Sequence, residues 1–219
     1  MKRLLLLLLI MPILYGCSYA GRMEVAVTGS GNRKTEKRPM VDFNAVEVTG
    51  AYDVKIVSGT KGDVEIETDD NVLPLIKTEV KDGRLVVSSN EKFSTGKSPT
   101  VSIVATNIQD VSGTGASNFE IRGIRNASLK LTGIGASKFQ CAGETNKLTV
   151  DVSGAGSVDA RELHAKDAIV KTNGASSVTL FATETLDANV NGVGSVDYYG
   201  NPKVVNKEVH GMGSLNAKY

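Results

Sequence analysis

From Val46 to Tyr219 apolar residues alternate with polar ones, and glycine breaks the alternation at regular intervals. Each break is one phrase: glycine, a small apolar residue, Gly or Ser, a polar residue, then a large apolar one. It begins at Gly115, Gly135, Gly154, Gly174, Gly192 and Gly211, which are 20, 19, 20, 18 and 19 residues apart. After each glycine comes one apolar ladder, including Phe119 and Ile121, Phe139 and Cys141, Val158 and Ala160. Before each comes another, including Leu129 and Leu131, Val150 and Val152, Ala188 and Val190. Alternation with period two is the pattern of a half-buried strand, whereas a helix needs apolar residues three and four apart. No stretch after Val46 sustains the helical period.

A fixed period near twenty marks a solenoid. Each repeat reads as two or three short strands. The glycine phrase forms one corner, and Asn126, Asn146 and Asp167 lie near the opposite one. One coil cannot bury its apolar edge alone, but stacked coils about 4.8 Å apart enclose a continuous core. The fold class expected is therefore all-β, a single-stranded parallel β-helix of about twenty residues per coil. Parallel crossovers favour a right-handed coil. The domain spans residues 39–219, and dividing its length by the period suggests about eight or nine coils. A sandwich or barrel also has short strands at even spacing. Its antiparallel hairpins would not require Phe to recur over Phe and Ser over Ser.

The first half is less regular. Gly50-Ala51-Tyr52-Asp53-Val54 matches the later phrase, and Gly50 precedes Gly115 by 65 residues, about three periods. Val72-Leu73-Pro74-Leu75-Ile76 reads as a short helical turn or a bulged rung, since Pro74 does not suit a central strand. Residues 91–99 read as an extruded loop, and residues 17–38, with the basic run Arg33-Lys34-Thr35-Glu36-Lys37-Arg38, as a tether.

Residues 1–16 are a signal peptide by pattern: Lys2 and Arg3, then an apolar run from Leu4 to Leu14. Leu14-Tyr15-Gly16-Cys17 resembles the lipobox of bacterial lipoproteins. That resemblance implies cleavage before Cys17 and acylation of its thiol, a membrane anchor made of lipid such as palmitate. Ser18, in place of Asp, implies the outer membrane, with periplasmic and surface-facing orientations both open. Cys141 is then the one remaining cysteine, on an inward ladder, so no internal disulfide can form. Of 25 basic residues Lys2 and Arg3 are lost with the signal, leaving 23 against 24 acidic. That balance provides no electrostatic footprint for nucleic acid.

Phe43-Asn44-Ala45-Val46-Glu47-Val48, Asp53-Val54, Asp69-Asp70-Asn71-Val72-Leu73, Asp82-Gly83-Arg84-Leu85 and Val196-Asp197-Tyr198-Tyr199-Gly200-Asn201-Pro202 occur together with the glycine repeats. Over about residues 40–219 the combination resembles the putative auto-transporter adhesin head (GIN) domain family, common among Bacteroidetes lipoproteins. The resemblance implies a parallel β-helix in the cell envelope and brings no binding residues with it.

No constellation for catalysis stands out. The outward column after each inward apolar residue runs Glu120, Gln140, Asp159, Thr179, Asp197, Asn216. Asp159 and Asp197, two rungs and about 9.6 Å apart, are the candidate pair for a polysaccharide hydrolase or lyase. The bland reading is that they are solvated face residues. His164 and His210 occupy different points of their repeats, so no metal and no cofactor is expected. Tyr52, Tyr198 and Tyr199 are candidate sugar platforms, though one of the last two must point inward. A glycan or protein ligand on the solenoid face, and a second copy docked on the open end near Leu215 and Tyr219, are the partners this pattern admits.

Overall fold

The computed structural model describes residues 26–60 and 64–219. The expected signal peptide, Cys17 and the start of the expected tether lie outside the described residues. Strands account for most of the described residues, and the repeats stack in parallel as a β-solenoid of about five turns.

Where the repeat is regular, each coil is a single long strand. Asn118–Gly135, Lys138–Gly154, Ser157–Gly174 and Ser177–Gly192 each bend round the solenoid and pair in parallel with the next. The phrase glycines lie over one another in register from Gly50 through Gly115, Gly135, Gly154, Gly174 and Gly192 to Gly211. In-register stacking brings like side chains together. Phe119 and Phe139 pair directly, their rings parallel within 7° and 4.6 Å apart between centroids. Such a stack contributes about 0.5–1.5 kcal/mol beyond the burial of its area. On the neighbouring side the buried column runs Leu85, Val46, Val111, Leu131, Val150, Val170, Ala188. Its next position, on strand Val204–Gly211, is the exposed Lys207.

The N-terminal half departs from sequence order. Strands Ala45–Gly50 and Asp53–Ser58 lie directly against the coil that begins at Asp110, so Gly50 is one rung from Gly115 rather than three. Strands Arg84–Ser89 and Thr100–Ala105 form the rung on the far side. Beyond them the pairing turns antiparallel: Ile76–Lys81 on Arg84–Ser89, and Val64–Asp69 on Thr100–Ala105. This arrangement, a cap in place of further coils, is why the turns number about five and not eight or nine. Leu73–Leu75 forms a 3₁₀ turn with Pro74 in its first turn, where no backbone N–H is needed.

Two expectations are corrected at this end. Arg33–Arg38, assigned above to the tether, is a strand paired antiparallel with Val64–Asp69. Its charges suit an edge, because they discourage further strand addition. They also bind: Arg38 donates to the carbonyls of Ile76 (2.7 Å) and Leu73 (3.1 Å) and pairs with Glu36, and Arg33 pairs with Glu67 at 2.8 Å. The extruded loop of residues 91–99 is pinned as well, since Phe93–Ser94 pairs with Val27–Thr28 and Phe93 meets the ring of Tyr52 edge-on.

Candidate ligand-binding face

One side of the solenoid is built from Asp53–Ser58, Thr100–Ala105 and the first third of each coil strand. Its inward residues fill the core, so by the period of two the residues between them face solvent. Register sets these in two columns. The first runs Thr100, Asp53, Asn118, Lys138, Ser157, Ser177, Ser195, Ser214. The second runs Ser102, Lys55, Glu120, Gln140, Asp159, Thr179, Asp197, Asn216. The polar column expected from the repeat is thus present, in the expected order. A trough of about 630 Å³ lies along it over Asn118, Lys138, Gln140, Ser157 and Thr179. It shares Glu120, Gln140 and Asp159 with a notch of about 400 Å³ that reaches Arg122, Ala142 and Arg161 at the corner.

The carboxylates on this face are engaged. Arg161 grips Asp159 with two nitrogens, Nε at 2.9 Å and Nη2 at 2.6 Å. That grip holds the Asp159 carboxyl below the usual carboxylate range and pushes the guanidinium up. Arg122 pairs with Glu120 through Nε alone, at 2.5 Å. Asn216 donates to Asp197 at 2.9 Å, and Lys218 lies 3.6 Å from it. The register places Thr179 between Asp159 and Asp197. A glycosidase pair needs one carboxyl with a raised pKa as general acid, and Asp159 is shifted the opposite way.

The remaining candidates separate. Tyr52 is buried, and burial raises its phenol to about 12. Tyr198 packs against the core and Tyr199 is half-buried. His164 stacks on Phe181 with 4.4 Å between centroids, on a different side from the polar columns, and His210 sits on strand Val204–Gly211 opposite Asn191. Among the described residues no three His, Cys, Asp or Glu side chains come together as metal ligands. The Cys141 thiol is buried and its pKa pushed up. Sequence reasoning missed Arg122 and Arg161. The available signal was an arginine two residues after an outward carboxylate, in Glu120-Ile121-Arg122 and again in Asp159-Ala160-Arg161.

Residues 42–202 match the family described as putative auto-transporter adhesin, head GIN domain. The chain belongs to this family. Solved structures of the same shape include a putative adhesin from Bacteroides fragilis NCTC 9343, 22% identical, covering 88% of this chain and 100% of that one with a TM-score of 0.71. A putative lipid binding protein from Parabacteroides distasonis ATCC 8503 is 19% identical, with coverage of 89% and 100% and a TM-score of 0.57. A putative adhesin from Parabacteroides merdae ATCC 43184 is also 19% identical, with coverage of 89% and 99% and a TM-score of 0.56. At these identities the likeness establishes the fold. No curated protein matches the chain. Among the described residues no helix is long and apolar enough to cross a membrane.

Proposed function

We propose that this GIN-domain protein is a non-enzymatic adhesin of the cell envelope, held by lipid on Cys17 to the outer membrane, that grips a repeating polyhydroxylated polymer along its polar face. The observation that carries this reading is the pair of outward columns: hydroxyl, amide and charged groups repeat at rung spacing in one direction and at strand spacing in the other. A polymer with its own short repeat can meet such an array many times. Weak contacts then combine into strong attachment without any single deep pocket. The interior supports an external mode of binding, because stacked side chains such as Phe119, Phe139, Val158 and Val178 fill it. Family membership supports adhesion over turnover, and so does the locked state of Asp159.

The test is binding of the full-length protein in detergent to immobilised polysaccharides, compared with their monosaccharides. Polymer should be retained at least about a hundredfold better than monomer. Equal affinity for both, or new reducing ends that disappear in Asp159→Ala, would overturn the reading. Protease shaving of intact cells assigns the membrane face, and Cys17→Ala should release the protein from the membrane fraction.

A further inference from the structure

The coils differ in length away from the glycine corner, most often at the corner that follows the polar columns. At the glycine corner every coil pairs without slip, whereas register shifts fall between Ile121 and Ile124, between Gln140 and Ala142, and between Ala160 and His164. Bulges re-aim side chains and are common beside functional sites. Here they frame the notch. On the two outer rungs an arginine leans back onto the carboxylate two residues before it, Arg122 on Glu120 and Arg161 on Asp159. The extra residues belong to these outer rungs; the shorter rung between them presents only Ala142 at this corner, and a space of about 400 Å³ lies over Gln140 and Ala142.

We propose that this notch is a subsite for one sugar ring of the polymer, held between the two arginine–carboxylate pairs; the inference rests on the polymer-binding reading above. Two rungs span about 9.6 Å, wide enough for a pyranose and its hydroxyls. Each pair offers a planar donor beside a planar acceptor, which suits neighbouring hydroxyls on a ring. The two-nitrogen contact orients the Arg161 guanidinium against Asp159, which lowers the freedom it loses when a ligand arrives. Arg161 spends two of its five N–H groups on the Asp159 side chain and also interacts with the Tyr199 side chain, which leaves part of its fork for a ligand. Glu162 completes the lining, giving three carboxylates to two arginines. The site therefore selects a neutral or aminated sugar against a uronic acid.

The experiment is calorimetry on full-length protein in detergent with three probes: cellohexaose, chitosan hexamer and an oligogalacturonate. The neutral or aminated probe should bind and the oligogalacturonate should not. Ala142→Trp, which fills the notch, and Arg161→Lys, which keeps the charge but loses the fork, should each weaken binding about tenfold or more. Asn173→Ala, exposed on the side that precedes the glycine corner and outside both columns, should change it less than about twofold. Circular dichroism confirms that each variant is folded. Unchanged affinity in both notch variants, with loss in Lys138→Ala or Ser177→Leu, would overturn the subsite and leave the ladder reading standing. Preference for oligogalacturonate would also overturn it. Failure of the wild type to bind any of the three probes or the long polymers would remove the ladder reading as well.

Discussion

Gly154→Ala tests the stacking geometry most directly. Gly154 has φ of +109°, a conformation that side chains rarely adopt. A Cβ built there would sit 2.6 Å from the carbonyl oxygen of Gly135 and 3.2 Å from its Cα, both backbone atoms that cannot swing aside. That same oxygen accepts the rung-to-rung hydrogen bond from the Ala155 N–H at 2.8 Å. Relief of the clash by lifting the rung would break this bond. Backbone strain of about 1–3 kcal/mol and a lost hydrogen bond of about 1 kcal/mol together give about 2–4 kcal/mol. A domain holds about 5–15 kcal/mol in all. Urea unfolding followed by circular dichroism should show the midpoint falling by roughly 1–2 M with the slope retained. Gly96→Ala is the control, because nothing lies within 4 Å of its added Cβ and its φ is ordinary; it should be neutral or slightly stabilising. A Gly154→Ala protein within about 0.5 kcal/mol of wild type would refute the argument that the glycine line is required by close approach of successive backbones.

Other outcomes follow from single residues. The Tyr52 hydroxyl is buried and finds no hydrogen-bond partner among the described residues, so Tyr52→Phe should be neutral or stabilising at pH 7. Burial raises that phenol from 10.0 to about 12, so between those values the unfolded chain gives up its proton first. Wild type should therefore lose stability as pH rises through this window, and Tyr52→Phe should lose less, as read by alkaline denaturation. Lys207 occupies the core column at the last rung and leaves it with a charge; Lys207→Val should associate end to end with rising concentration in sedimentation velocity, while wild type does not. Cys141 should react with a thiol reagent only on unfolding, because burial keeps it protonated and shielded. Full-length protein taken from membranes should then titrate one thiol in denaturant; two would show Cys17 unmodified.

Parallel, in-register stacking is the reason so much was readable. When each residue lies over its counterpart one period on, sequence spacing becomes spatial neighbourhood, and Phe119 meets Phe139 because both follow the same phrase. The outward column from Glu120 to Asn216 was legible on the same ground. Legibility ended where the period did. Nothing local in residues 59–109 says that the chain leaves the stack, builds an antiparallel cap and returns to the opposite side of the coil at residues 45–58. Arg33–Arg38 was misassigned because an edge strand of charged residues carries no apolar alternation. The notch was hidden because it depends on bulges, which shift spacing by a residue or two without altering composition.

The displaced rung has a consequence for how the molecule is made. A simple repeat array can nucleate anywhere and grow by neighbours. Here the rung at residues 45–58 has Arg84–Ser89 and Thr100–Ala105 on one side and residues 110–122 on the other. A chain emerging amino-terminus first cannot complete that layer until the later segment arrives. The early half must close over a long loop before it gains anything, which is slow, whereas the coils after Gly135 can be added one by one. Shortening the chain from its carboxyl end should peel off layers gradually, while a cut inside the first hundred residues should abolish assembly outright.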